Sequence, residues 1–350
     1  MAAGLRGSAI TGLGAALAPT VVTNDDLATI LDTSDEWIRE RTGITERRVS
    51  SGPFVPTHDP SASPAGGLGT TGVLAAEAGR QALEQAGLEP GHVGLLVLAT
   101  TTPDQSVPAT SAAVAAALGL QCGAMDLNAA CAGWVYGLIT AAALVSSGVD
   151  RILVIGAETM SRIIDWDDRG TAILFGDGAG AAVIEAVPGE GGLLGWDLGA
   201  DGTLQPLLYC DLGRGVVMDG KEVYRRAVRV VVDSARTALE RAKVSAEDIA
   251  LFVPHQANQR IIDAAASRLG ISGDRTALVI DKLGNNSSAS IPLALADAHR
   301  HGRLHEGDLV LFSGFGAGMT WASAVWRWGH QPPVTFVSQS AQEEPAHGQH

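Results

Sequence analysis

The sequence is short of positive charge and of long apolar runs, and each shortage excludes a class of protein. Lys and Arg number 24 against 38 Asp and Glu, which gives a net charge of −14 and a pI of about 5.0. This balance argues against nucleic acid as a partner, because phosphate binding needs a basic face. No run of about eighteen apolar residues occurs, so we expect no membrane-spanning segment.

Cysteine is also scarce. The 3 cysteines, Cys122, Cys131 and Cys210, are odd in number and widely spaced. They lack the spacing of metal ligands, so the pattern predicts no metal site and favours a reduced, cytoplasmic compartment. The N-terminus does not resemble a signal peptide, since its weak apolar run is broken by glycines and by Pro19.

Glycine and apolar residues, by contrast, are abundant. The 43 glycines and the 46% hydrophobic content favour a large core in which helices pack closely on sheet. Apolar runs predict buried strands at Val93–Thr101 and Arg151–Ala157, and Thr71–Ala86 has the spacing of a helix. We expect a glycine-rich turn between two strands within Ala172–Ala186, and a loop or insertion at Ser50–Gly69.

The second half of the chain repeats the first. Ala78–Val97 and Ser234–Val253 share one helix-turn-strand pattern, and the Phe-Gly run at 175–180 is echoed at 315–320 at a similar spacing. A chance likeness of two amphipathic helices would not explain the shared strand behind them. We therefore expect an α/β fold of two duplicated mixed αβ halves, residues 1–187 and 188–328, with a disordered polar tail at 329–350.

Cys131 is the first candidate for chemistry. It precedes Trp134–Val145, which is apolar on every face and predicts a buried helix. Free N–H groups and the helix dipole stabilise a thiolate at such a position, which would make the sulfur a nucleophile. Taken alone, Cys131 could equally be a small buried hydrophobe, as most free cysteines are.

A histidine and an asparagine follow the corresponding elements of the second half. His255 ends a buried strand, where αβ folds collect ligands, and Asn285 lies in the polar loop Gly284–Ser290. Alone, His255 could be a structural histidine and Asn285 a turn residue or helix cap. Together, an imidazole N–H and a carboxamide suit the enolate oxygen formed when a malonyl thioester loses carbon dioxide.

Six motifs stand in order along the chain: Asp35–Ile44, Ala129–Gly133, Asp168–Ala181, Pro254–Asn258, Gly284–Ser290 and Gly314–Trp321. With these motifs the chain resembles, from about Ile10 to Trp328, the β-ketoacyl-acyl-carrier-protein synthase III family, ketosynthases of the thiolase fold. The resemblance implies a layered α-β-α-β-α arrangement.

The resemblance implies that an acyl-CoA primer is condensed with malonyl-acyl carrier protein by decarboxylation, giving a 3-ketoacyl-carrier protein without a cofactor. Cys131 would be the acylated nucleophile, and His255 and Asn285 the decarboxylation pair. Backbone N–H groups of Cys131 and Ala317 would form the oxyanion hole, with Phe315 beside the thiol. The alternative is a non-decarboxylating acyltransferase of the same fold; the presence of both His255 and Asn285 favours condensation.

The resemblance also implies which residues line the entrance through which acyl-CoA reaches the thiol. Trp37, Arg41 and Arg169 would receive acyl-CoA, and Asn258 would lie near its pantetheine arm. On residue types alone, Trp37 could simply pack and the arginines could pair with surface carboxylates.

Carrier-protein docking and a dimer are implied as well. Arg225 and Arg260 match basic docking positions for an acidic carrier protein, although Arg225 could belong to an ordinary solvated helix face. The family is a homodimer in which the loop matching Thr102–Pro108 closes the partner's acyl pocket. Val107 stands where some members carry an aromatic residue, so we expect a primer larger than acetyl.

The chain departs from the family pattern at three places. Asn286 replaces a common threonine, Leu283 replaces a polar or aromatic residue, and Ser50–Gly69 is longer than usual. These departures favour a starter enzyme of secondary metabolism over the ordinary fatty-acid role.

Overall fold

The computed structural model describes residues 6–55 and 70–329. The strands are β1 (Arg6–Leu17), β2 (Thr20–Thr23), β3 (Glu46–Val49), β4 (Leu95–Ala99), β5 (Gly123–Leu127), β6 (Arg151–Thr159), β7 (Asp177–Pro188), β8 (Leu193–Ala200), β9 (Leu208–Tyr209), β10 (Val217–Met218), β11 (Ile249–Pro254), β12 (Leu309–Gly316) and β13 (Thr320–Arg327). The helices are α1 (Asn24–Ala28), α2 (Asp35–Thr42), α3 (Thr70–Ala86), α4 (Thr110–Ala117), α5 (Gly133–Ser146), α6 (Arg169–Ala172), α7 (Gly220–Ala242), α8 (Gln259–Leu269), α9 (Ile280–Leu283) and α10 (Ser290–Arg300).

Two large mixed sheets carry the duplication predicted from the sequence. The first has the strand order β1-β7-β6-β4-β5, and the second has the order β8-β13-β12-β11. β4 and β6 pair in parallel while β6, β7 and β1 pair antiparallel, and β11, β12, β13 and β8 repeat those directions. The two duplicated halves are thereby confirmed, and β5 is an extra strand at the open edge of the first sheet.

Helices cover both faces of each sheet. α3 packs on the outer face of the first sheet and α7 on that of the second, while α5 and α10 contact strands of both sheets and lie between them. This gives the five-layered α-β-α-β-α arrangement. The apolar character of α5 follows from its place, since Trp134, Val135 and Leu138 are fully buried between the sheets.

The predicted glycine-rich turn within Ala172–Ala186 is wrong. β7 runs unbroken from Asp177 to Pro188 and includes those glycines. They are small because α10 packs directly on the strand: a Cβ at Gly180 would lie 2.7 Å from Cβ of Pro292. Sequence reasoning took close helix packing for a turn, because glycine serves both purposes.

Two expectations fall largely outside the described residues. Of the Ser50–Gly69 insertion only residues 50–55 are described, and of the tail predicted to be disordered only residue 329 is. Within the described part of the chain, no helix is both long and apolar enough to cross a membrane.

Candidate active site

Cys131 lies in a one-turn 3-10 helix, Ala130–Ala132, which joins β5 to α5. Ala130 has φ 47°, in the left-handed region that non-glycine residues avoid. Such backbone strain is found at functional sites, where the surrounding structure holds a side chain in one direction. The cysteine is therefore where the sequence predicted it, at the start of a buried helix.

The thiol, however, is not poised as a thiolate. Burial raises the pKa of Cys131 to about 12, against a smaller lowering by a hydrogen bond with the Ser287 side chain and a further rise from the Glu158 charge. The sequence argument weighed only the partial charge at the helix N-terminus. Removing a thiolate from water costs more than that partial charge returns.

His255 follows β11 directly. Its backbone N–H donates to the carbonyl of Ser313 at 2.8 Å, and its ring meets the Phe315 ring edge-on at 5.6 Å. Nδ1 is buried and has no hydrogen-bond partner among the described residues. Burial lowers the pKa of His255 to about 3, so the imidazole is neutral at physiological pH.

Asn285 is held by backbone and side chain alike. Its N–H donates to the carbonyl of Leu174 at 2.8 Å, and its carbonyl accepts from Gly176 N–H at 3.0 Å. Its side-chain Oδ1 accepts from the backbone N–H of Ser287 at 2.8 Å. This bond fixes the orientation of the carboxamide and leaves Nδ2 as the group that can donate to a ligand.

The three side chains reach one cavity, although they come from distant parts of the chain. Cys131, His255 and Asn285 all line a cavity of about 460 Å³. Apolar side chains form most of the remaining wall: Ile173, Leu174, Phe175, Leu208, Met218, Val223, Ala257, Ile261 and Phe315. Such a mixture, an apolar wall with a few convergent polar groups, is typical of a small-molecule site.

The two turns predicted to form the oxyanion hole, at Cys131 and at Ala317, lie side by side. The Thr320 hydroxyl donates to the carbonyl of Ala129 at 2.8 Å and lies 3.2 Å from that of Ala317, which links the cysteine turn to the turn after β12. Gly316 touches the cysteine turn directly: a Cβ there would lie 2.5 Å from the backbone N of Cys131. Only glycine allows this approach.

The mouth of the cavity contains the residues predicted to receive acyl-CoA. Trp37 and Arg41 line it, and the guanidinium carbons of Arg41 and Arg169 lie 4.2 and 4.7 Å from the Trp37 ring. Asn258 also lines the mouth, caps α8 through its bond to Arg260 N–H at 2.9 Å, and donates to the Arg41 carbonyl at 2.9 Å.

Of the two predicted docking residues, Arg260 lines this cavity and Arg225 does not. The guanidinium of Arg260 lies 5.8 Å from the Tyr224 ring. Arg225 is exposed on α7 and forms an ion pair with Glu222 at 2.7 Å. Val107, in contrast, is 83% exposed and does not line the Cys131 cavity of its own chain.

Sequence reasoning missed two groups of residues. Lys221 and Tyr224, on the first turns of α7, line the cavity. The amphipathic pattern of α7 predicted which face of the helix is buried, but it could not show that the N-terminal end of the helix borders a cavity. Glu158 lies fully buried behind Cys131. A carboxylate inside an otherwise apolar strand was the available signal.

Comparisons with known proteins agree along most of the chain. The 3-oxoacyl-[acyl-carrier-protein] synthase III family model matches residues 125–202, and its C-terminal companion matches residues 239–328. A β-ketoacyl-[acyl-carrier-protein] synthase III of Bacillus anthracis is 43% identical over 322 residues, which cover 91% of this chain and 98% of the relative. One from Oceanobacillus iheyensis is 46% identical over 323 residues, with the same coverage.

Solved structures give the same result. The 3-oxoacyl-[acyl-carrier-protein] synthase III of Aquifex aeolicus superposes with a TM-score of 0.85 at 40% identity, covering 92% of this chain and all (100%) of that one. The priming β-ketosynthase of a polyketide biosynthetic pathway superposes with a TM-score of 0.86 at 38% identity, covering 95% and 99%.

Proposed function

Because the chain belongs to the β-ketoacyl-[acyl-carrier-protein] synthase III family, we propose that it condenses an acyl-CoA primer with malonyl-acyl carrier protein and releases a 3-ketoacyl-carrier protein and carbon dioxide. One observation supports this most directly: a cysteine, a histidine and an asparagine from three segments line the same cavity. The condensation needs a nucleophile and an enolate site that share one space.

The first half-reaction is acyl transfer. The Cys131 sulfur attacks the thioester carbonyl of acyl-CoA, and the tetrahedral oxyanion is held by backbone N–H groups of Cys131 and Ala317. Collapse breaks the bond to the coenzyme sulfur, which leaves as a thiol with the proton that Cys131 gave up. The strained φ of Ala130 and the close approach of Gly316 to Cys131 support this pairing of the two turns.

The second half-reaction is decarboxylative condensation. Malonyl-carrier protein loses carbon dioxide, and the enolate oxygen accepts hydrogen bonds from His255 Nε2–H and Asn285 Nδ2–H. The neutral state of His255, which follows from burial, suits a donor that must not give up its proton. The enolate carbon attacks the acyl-cysteine carbonyl, and the expelled Cys131 thiolate takes a proton from solvent.

Both substrates would enter by the same mouth. Trp37, with Arg41 and Arg169 against its ring, offers a flat apolar surface and positive charge for the adenine and phosphates of acyl-CoA. We assign Asn258 to the pantetheine arm. Arg260 lines the cavity and Arg225 is exposed on α7, and we assign both to docking of an acidic carrier protein, despite the net charge of −14.

We also propose that the enzyme is a homodimer. β5 is the edge strand of its sheet, and its backbone offers unpaired groups to a second copy. Val107 is an exposed apolar side chain in the loop expected to reach the partner's acyl pocket. Its modest size favours a primer larger than acetyl, such as a branched acyl group. The three cysteines are free, which supports a reducing, cytoplasmic setting.

A two-step assay tests the proposed reaction. The protein is incubated with acyl-CoA and the mass of the Cys131 peptide is measured; malonyl-carrier protein is then added and carbon dioxide is followed. We expect an acyl adduct that disappears as carbon dioxide and 3-ketoacyl-carrier protein form. Absence of the adduct would contradict the proposal, and an adduct without carbon dioxide would identify a non-decarboxylating acyltransferase instead.

A further inference from the structure

Glu158 is a buried carboxylate that has no role in the reaction steps proposed above. It lies near the end of β6, has 0% exposure, and forms no ion pair with any lysine or arginine that the structure describes. A buried carboxylate without a counter-charge is tolerated only where hydrogen-bond donors replace water. Its donors come from two loops that are distant in sequence.

The first loop follows β4. Thr101 N–H lies 3.1 Å from each carboxylate oxygen, and the Thr101 hydroxyl lies 2.9 Å from Oε2. The Thr102 hydroxyl donates to Oε2 at 2.6 Å and accepts a bond from Thr159 N–H at 2.9 Å. Glu158 therefore fixes the base of the loop that carries Val107.

The second loop is the one that contains Asn285. Ser288 approaches Oε1 with its N–H at 3.3 Å and its hydroxyl at 2.8 Å, and the same hydroxyl lies 2.8 Å from the carbonyl oxygen of Ala99. The preceding residue, Ser287, donates the bond that orients the Asn285 carboxamide, and it has the strained φ of 45°. β6 and this loop pack tightly, since a Cβ at Gly156 would lie 2.5 Å from the Ser288 carbonyl oxygen.

We propose that Glu158 is a positioning residue for the condensation step, which sets the place of the Asn285 donor through Ser288 and Ser287. The inference rests on the proposed function and deepens it. Glu158 touches neither the substrate nor the reacting atoms. Its contribution is to hold the enolate donor within the small tolerance that an oxyanion site requires.

The pattern of donors makes the carboxylate irreplaceable. A backbone N–H group, which can only donate, faces each oxygen of Glu158: that of Thr101 lies 3.1 Å from both oxygens and that of Ser288 lies 3.3 Å from Oε1. Glutamine offers one acceptor and one NH₂ group, so in Glu158→Gln a donor would face a donor on one side. Either Ser288 or the Thr101–Thr102 segment must then move.

The test compares the two half-reactions in variants of the full-length protein. In Glu158→Gln, we expect carbon dioxide release from malonyl-carrier protein by the pre-acylated enzyme to fall by about a hundredfold. Acylation of Cys131 by acyl-CoA should fall by less than about tenfold, because Asn285 takes no part in it and the variant removes the Glu158 charge that helps to raise the pKa of Cys131. Ser288→Ala removes one hydroxyl contact to Glu158 and should show the same split more weakly.

Asp177→Asn is the matched control. Asp177 is another fully buried carboxylate, but its donors are Ser161 and Ser50, outside the Asn285 loop. We expect it to lower thermal stability while changing both half-reactions by one common factor. Equal losses of the two half-reactions in Glu158→Gln and Ser288→Ala, or the same split in Asp177→Asn, would overturn the positioning role. If the wild type itself releases no carbon dioxide, the proposed function fails instead.

Discussion

The side-chain Oδ1 of Asn285 accepts a hydrogen bond from the backbone N–H of Ser287, two residues further along, at 2.8 Å. This bond occupies Oδ1, the acceptor of the carboxamide, and leaves the donor Nδ2 available to a ligand in the cavity. Ser287 adopts φ 45° to make it, in a conformation that costs a non-glycine residue about 1 kcal/mol or more. The strained backbone of Ser287 thus lowers the stability of the folded protein slightly, and in return the Nδ2–H group of Asn285 is held in one orientation.

Replacing that donor tests the enolate site. Asn285→Asp keeps the shape and the bond from Ser287 but puts a carboxylate oxygen where Nδ2 stood. We expect condensation to slow by about a hundredfold or more, since one oxyanion donor is lost, while acylation of Cys131 persists. The two rates are measured separately with acyl-CoA and with malonyl-carrier protein. Equal loss of both rates would remove Asn285 from its assigned step.

The contact between Gly316 and the cysteine turn gives a second prediction. In Gly316→Ala the new Cβ would lie 2.5 Å from Cys131 N and 2.8 Å from the Ala130 Cβ. We expect acylation to fall at least about a hundredfold, because displacing a reacting group by about 1 Å has that effect. Gly273→Ala is the control, as nothing lies within 4 Å of its Cβ position. Acylation at the wild-type rate in Gly316→Ala would contradict the geometry.

The state of the thiol predicts a pH dependence. Burial raises the pKa of Cys131 to about 12, so the reactive thiolate is a minor species at neutral pH and its fraction grows as pH rises. Alkylation of the free enzyme by iodoacetamide should accelerate by about tenfold per pH unit between pH 7 and 9, followed by the mass of the Cys131 peptide. A plateau below pH 8 would show a thiolate that burial does not suppress.

The neutral state of His255 predicts a loss of stability in acid. Burial lowers its pKa from 6.5 to about 3, so below pH 6.5 the unfolded chain binds a proton that the folded protein excludes. From pH 7 to pH 5 this group alone should lower the free energy of unfolding by about 2 kcal/mol.

Urea unfolding at the two pH values measures the effect. The loss should be smaller by that amount in His255→Asn than in the wild type. His305→Asn, which replaces a histidine whose side chain is 79% exposed, controls for the removal of an imidazole as such. An identical acid loss in His255→Asn and the wild type would contradict a buried neutral imidazole.

We expect Trp37 to contribute to the binding of acyl-CoA but not to the rate of the chemical step. In Trp37→Ala the KM for acyl-CoA should rise by about tenfold, because the ring that stacks on the adenine is lost, with kcat nearly unchanged. Trp196→Ala is the matched control. Trp196 also lies against an arginine, since the guanidinium carbon of Arg241 is 5.4 Å from its ring, but Trp196 does not line the cavity. Equal KM values for the two variants would remove Trp37 from the acyl-CoA site.

The sequence alone determined the architecture, because periodicity and repetition are local properties of the chain. The helix and strand shared by Ala78–Val97 and Ser234–Val253 indicated two copies of one unit, and the all-apolar run after Cys131 indicated a helix between layers. The order of motifs indicated the family. Each of these inferences needs only the identity and spacing of neighbouring residues.

Only the tertiary structure decided the electrostatics and the packing at the site. The raised pKa of Cys131 and the lowered pKa of His255 depend on how much water the folded chain excludes from each group, which no local pattern records. The glycines of β7 and the network around Glu158 depend on segments more than a hundred residues apart in sequence meeting in space. Burial and long-range contact are properties of the folded molecule, and they determine the protonation and the placement of the groups that the sequence identified.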